Sequence, residues 1–163
     1  MSKRAALRVV VPVAIVALLV YGLWPGDERS QVRRLPLAAA LAFTEGDLLG
    51  CLDLFEPLFV DESGGRRLDR DTIRAGMLGS QRGFAARVDR ESVDVIDFDR
   101  TAGIARVRFV ARLFRLRTGS ASVVDGPPEW ECSIDARVRR SESGVWRFAS
   151  AEHVTLTGKP PYR

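Results

Sequence analysis

The chain has 163 residues, enough for one domain of ordinary size, and its two cysteines show neither CxxC nor Cys/His spacing, which argues against a disulfide framework or a zinc site. The formal charge of +4 overstates its basicity, because Lys3, Arg4 and Arg8 all precede the first acid, Asp27, and the remainder is close to balance. A nucleic-acid binder would carry a clustered basic excess, so no nucleic-acid partner is expected.

Met1 to Arg8 is short and basic, and Val9 to Trp24 (VVVPVAIVALLVYGLW) carries no charge. A spanning helix needs roughly 17–25 residues, and Arg8 can snorkel outward, which extends the run back to Ala5. Tyr21 and Trp24 suit the far interface. The rival is a cleaved signal peptide, but Tyr-Gly-Leu-Trp-Pro-Gly-Asp offers no Ala-x-Ala site. The expected organisation is a cytoplasmic N-terminus over 1–8, an uncleaved signal anchor over 9–24 and a juxtamembrane linker over 25–34. Lys3, Arg4 and Arg8 are balanced by Arg29, Arg33 and Arg34. The α-amino group and tighter clustering put the N-terminus inside, giving a single-pass inner-membrane protein with an extracytoplasmic domain.

Leu35 to Val60 reads as helical. Its Ala-rich start is interrupted at Glu45-Gly46-Asp47, where Asp47 can cap a restart, and Leu48, Leu52, Phe55 and Phe59 then form one apolar stripe. Ser63-Gly64-Gly65 is a loop. Asp69 can cap a second helix with Ile73, Met77 and Phe84 on one face. From Ala86 the pattern is strand. Val93 and Val95 alternate with acids, then Ile96 and Phe98 take the opposite parity; Thr101-Ala102-Gly103 turns. Ala105 to Leu113 alternates with arginines, and the phase flips at Phe114, which predicts a β-bulge. Gly119 to Pro128 is a hairpin loop. Trp130, Cys132, Ile134, Ala136 and Val138 alternate with polar residues, Ser141 to Gly144 turns, and Val145 to Leu156 is the closing strand. Residues 158–163 are a tail. Cys51, on its helix, and Cys132, pointing inward on its strand, read as buried small hydrophobes; one structural disulfide is the alternative in an oxidising compartment.

The order of elements is α+β: two to three helices packed on a curved, mainly antiparallel four-stranded sheet. Three stretches carry a resemblance. LAAALAFTEGDLLGCLDLFEPLFV resembles the first helices of the nuclear-transport-factor-two-like, or SnoaL-like, superfamily; LDRDTIRAGM is similar to its second helix; GVWRFASAEHV is similar to its closing strand. The resemblance covers about Leu35 to Leu156, within a domain of residues 35–157. It implies a cone-shaped fold with a pocket between sheet and helices, and no single function, since members include isomerases, dehydratases, cyclases, binding modules and membrane-anchored assembly proteins.

The enzyme members use Asp, His or Tyr in the pocket. Tyr21 and Tyr162 fall outside the domain here, and the only histidine is His153. Counted by parity from Trp146 and Phe148, His153 faces solvent and Glu152 faces inward. Glu152 is therefore the candidate acid/base, with Phe55, Trp130 and Trp146 lining the pocket beside it. The plainer reading is a Glu152 paired with an arginine, or turned out by a bulge. Arg106, Arg108, Arg112, Arg137, Arg139 and Arg147 share the outer face, either as cross-strand ion pairs or as a docking surface for an acidic partner or lipid head groups. No metal ligand set and no cofactor motif is present. The expected function is a membrane-anchored, non-enzymatic domain that binds a protein partner or small apolar ligand outside the cytoplasm, with a homodimer through the sheet face as one option. The alternative is an isomerase, cyclase or dehydratase using Glu152.

Overall fold

The computed structural model describes residues 27–63, 67–80, 83–116 and 126–160. The expected anchor over 9–24 lies outside them, and no helix among the described residues is long and apolar enough to cross a membrane.

Helix α1 (Glu28–Glu45) ends at Gly46, whose φ of 80° lets its amide and that of Asp47 return to Phe43 and Ala42. Residues 28–34, expected as linker, are its opening turns. Val32 explains the correction: it is fully buried, and the core it enters repays the ordering of a charged segment. Helix α2 (Leu48–Asp53) is capped by Asp47, whose Oδ1 accepts from the Gly50 amide at 2.9 Å.

Strand β1 (Phe55–Asp61) replaces the expected helix end. Phe55 and Phe59 recur at a helical spacing, but Pro57 between them has no amide to donate and breaks a helix interior. In a strand it is tolerated where the ladder is irregular, and the pairing of β1 shifts between Phe55 and Val60. β2 (Leu68–Asp69) leads into α3 (Arg70–Ser80), where Asp69 Oδ1 accepts from the Thr72 amide as the sequence predicts. β3 (Phe84–Val88), a short 3-10 turn at Arg90–Ser92, β4 (Asp94–Asp99), β5 (Ile104–Arg115), β6 (Trp130–Arg140) and β7 (Trp146–Gly158) complete the chain.

Among the described residues the sheet has seven strands in the order β2-β1-β7-β6-β5-β3, with β4 also paired to β5. All contacts are antiparallel except β1 on β7. The three strands missing from the expected four-stranded sheet are short (β2, β3) or hidden in a helical pattern (β1).

The bulge expected after Leu113 is absent. The β5–β6 register runs unbroken from Ile104↔Arg139 to Leu113↔Trp130, and β3–β5 pairing is also continuous, with Phe114 opposite Ala85. The irregularities lie elsewhere. Ile96 is an extra residue between the Val95 and Asp97 pairings, where the sequence parity changes. In β7, Ala149 is extra between Phe148↔Val138 and Ser150↔Arg137, and Leu156 is extra between Thr155↔Cys132 and Thr157↔Glu131. Each reverses the alternation beyond it.

The inner face of the sheet buries two clusters. One joins Val32 and Leu35 of α1 to Phe59, Val107, Phe109, Val138, Trp146 and Phe148. The other joins Phe43, Cys51, Leu113, Trp130 and Cys132, with Met77 of α3 packed against it. Phe55, Ala111 and Ile134 touch both and form the seam between them.

Candidate functional site

The Ala149 bulge decides what faces the seam. Before it, Trp146 and Phe148 are buried; after it, the inward residues are Ala151 and His153. His153 stands directly opposite Ile134, and residues opposed across a ladder share a face. Glu152 stands opposite Asp135 and is exposed. The two sequence assignments are therefore exchanged: His153 is the inner residue, and Glu152, the expected pocket acid, belongs to the outer face. Simple alternation counted from Trp146 fails because one extra residue shifts every position after it.

β1 supplies the partner. Asp61 pairs in register with Ala151, so its carboxylate lies beside His153 on the same face, with Oδ2 3.3 Å from His153 Nδ1. Both side chains retain some solvent access, 18% for His153 and 16% for Asp61. Ser63 holds the arrangement from the other end. Its amide donates to Asp61 Oδ1 at 3.0 Å, its hydroxyl contacts the same oxygen, and its Oγ accepts from the His153 amide at 2.6 Å. Burial would push Asp61 up, but hydrogen bonds from His153 and Ser63, together with the charge of His153, hold it below the usual carboxylate value.

Trp130 closes one side. Its ring meets the His153 imidazole edge-on, with centroids 5.5 Å apart, and its Nε1 donates to Thr155 Oγ1 at 3.1 Å, which fixes the indole plane. Cys132 is fully buried; burial, and then the negative charge of Asp61, push its thiol up to about 12. Burial likewise lifts Cys51 to about 11, and both cysteines are free. Neither is a nucleophile at neutral pH. Of the expected lining residues, Trp130 adjoins the pair, and Phe55 lies in the seam. Trp146 sits in the other cluster, tilted against Phe98 at 5.5 Å and under the Arg140 guanidinium.

The outer face is a charge lattice. Asp135 takes Arg106 at 2.7 and 2.9 Å and Arg108 at 2.9 Å; Arg112 bridges Asp89 and Glu131; Arg115 meets Glu129 at 2.8 Å. The Arg106 and Arg108 bonds hold Asp135 below its ordinary value, against the opposing effect of partial burial. Among the described residues no group of three His, Cys, Asp or Glu side chains is placed to hold a metal ion.

The sequence signal for this site was present but split. Asp61 stands at the end of a segment with a helical apolar pattern, and His153 lies beyond a bulge that parity does not reveal.

No family model and no curated protein matches the chain. Solved structures match in fold. An NTF2-like protein with a cystatin-like fold from Novosphingobium aromaticivorans has a TM-score of 0.63 at 20% identity, covering 89% of this chain and 92% of that one. A candidate scytalone dehydratase from the same organism gives 0.62 at 15% identity, covering 83% and 89%. A ketosteroid isomerase-like protein from Erwinia carotovora atroseptica gives 0.57 at 16%, covering 81% and 98%. The domain has the NTF2-like, SnoaL-like fold that its motifs resemble.

Proposed function

We propose that the inner face around His153 binds a small, largely apolar molecule bearing a carbonyl or hydroxyl group, and that His153 moves a proton on it. The observation that carries this reading is the Asp61–His153 pair at 3.3 Å, partly open to solvent and set among Trp130, Ile134 and Cys132. In this role Asp61 selects the imidazole tautomer with Nδ1–H and leaves Nε2 to accept a proton. Trp130, buried against the imidazole, closes one side of the site. The names of two fold neighbours, a ketosteroid isomerase-like protein and a candidate scytalone dehydratase, agree with proton transfer at carbon. Glu152, exposed on the other face, takes no part.

The test uses 1-tetralone, a flat ketone with exchangeable protons beside its carbonyl. In heavy water the protein should accelerate deuterium incorporation at that carbon, and His153→Gln should abolish the acceleration while leaving the fold intact by circular dichroism. Exchange at the buffer rate with wild-type protein, while the ketone still binds, would return the site to ligand binding without chemistry. The pair has a structural side as well. Ser63 bonds both Asp61 and the His153 amide, so the pair also ties β1 to β7.

The address remains a proposal that rests on the uncharged run at 9–24. A membrane-anchored protein should resist alkaline extraction, and a reporter fused after Arg163 that is active only outside the cytoplasm should work. A soluble product trimmed near Trp24 would contradict it.

A further inference from the structure

Glu28, the first residue of α1, gathers one end of the domain. Its carboxylate takes Arg140 at 2.8 Å and Arg100 at 3.2 Å, and Arg140 also donates to the Arg100 carbonyl at 3.1 Å. Arg100 begins the β4–β5 turn and Arg140 ends β6, so both hairpin tips, 100–103 and 141–145, are tied to the start of α1. The Arg140 amide joins the tips again by donating to the Gly103 carbonyl at 2.8 Å. This end presents apolar side chains to solvent: Val145 is 47% exposed and Ile104 48%. Arg139 stands opposite Ile104, and the side chains of Arg100 and Arg139 are mostly exposed. Apolar tips ringed by arginine suit a phospholipid surface, where aliphatic groups enter the acyl boundary and guanidinium groups stay among the phosphates.

The His153 site lies at the other end. His153 stands opposite Ile134, six residues along β6 from Arg140, or about 20 Å at roughly 3.3 Å per residue. Helix α1 spans the same interval, with Val32 in the cluster of Trp146 and Phe43 in the cluster of Trp130.

We propose that the hairpin-tip end rests in the head-group layer of the bilayer and holds the His153 site out in the water, so that its ligand arrives from the aqueous phase. The chain that precedes α1 selects this occupant. The uncharged run ends at Trp24, and four Cα–Cα steps of at most about 3.6 Å reach Glu28, roughly 14 Å in all. The head-group layer is itself roughly 5–8 Å deep on each side of the bilayer. A tether this short keeps the Glu28 end, and with it both tips, at the surface. The proposal rests on the reading of 9–24 as a membrane anchor, and it depends on no activity at His153.

The test puts one bimane label on the full chain in phosphatidylcholine vesicles that carry a nitroxide on a fraction of their head groups. Cys51 and Cys132 are buried, so the label goes to Glu142→Cys at a hairpin tip or to Lys159→Cys beyond the far end of β7, both exposed positions. The tip label should be quenched several-fold more than the far label. Val145→Glu should lower the quenching at the tip while the protein still floats with the vesicles in a density gradient. A protein that floats but is quenched equally at both positions, or more strongly at Lys159→Cys, overturns the contact and leaves the anchor standing. So does a tip label indifferent to Val145→Glu. A protein that does not float with the vesicles overturns anchor and contact together.

Discussion

Asp61→Asn separates the ionic role of Asp61 from its shape. The carboxylate accepts from the Ser63 amide at 3.0 Å and from the Ser63 hydroxyl, and faces His153 Nδ1 at 3.3 Å. The variant keeps one acceptor oxygen but loses the charge, and one orientation sets its NH2 against donors. Hydrogen bonds to charged groups contribute about 1.5–3 kcal/mol each, and the retained oxygen recovers part of that, so a loss of about 2 kcal/mol at pH 7 is expected. The pH dependence follows from the direction of the shift. The folded-state value of Asp61 is lowered, so its contribution is fully present above the ordinary value of 3.8 and disappears as pH falls through the lower folded value. The gap between wild type and variant should be widest at neutral pH and close in strong acid. Paired urea melts at pH 7 and at acid pH read both quantities. A variant within about 0.5 kcal/mol of wild type at pH 7, the usual scatter of surface changes, or a gap that persists in strong acid, would refute the reasoning.

Trp146→Ala should cost about 3–5 kcal/mol by the same melts, because its ring is 2% exposed and packs against Phe98 and Arg140; a loss below about 1 kcal/mol would mean the ring is not in the core. Glu152→Gln, on an exposed site of the outer face, should change stability by no more than about 0.5 kcal/mol and leave 1-tetralone exchange untouched. Loss of the exchange in this variant would mean that Glu152 takes part in the site after all.

What the sequence made legible follows from which patterns have one physical reading. The alternation of β6 is strict because one of its faces is buried and the other is wet, and every inward assignment from Trp130 to Val138 holds. The outer arginines pair with Asp89, Glu129, Glu131 and Asp135, as a wet face crowded with both signs requires. The site was harder, for two physical reasons. Leu48, Leu52, Phe55 and Phe59 fit one helical stripe, and only Pro57 argues against it, so β1 and with it Asp61 went unseen as sheet. In β7 a single extra residue, Ala149, inverts the face of everything after it, and Ala149 carries no glycine or turn signal to mark the bulge. The faces of His153 and Glu152 are accordingly the reverse of what alternation predicts.

The central claim is that His153 turns inward to Asp61 and Trp130. His153 is the only histidine in the chain, so its imidazole protons are assigned without ambiguity. The direct measurement is a nuclear Overhauser spectrum of the folded protein. With ring centroids 5.5 Å apart, the imidazole protons should give cross-peaks to the Trp130 indole, and these should vanish on unfolding. An imidazole with no cross-peak to any tryptophan would put His153 back on the solvent face and contradict the account.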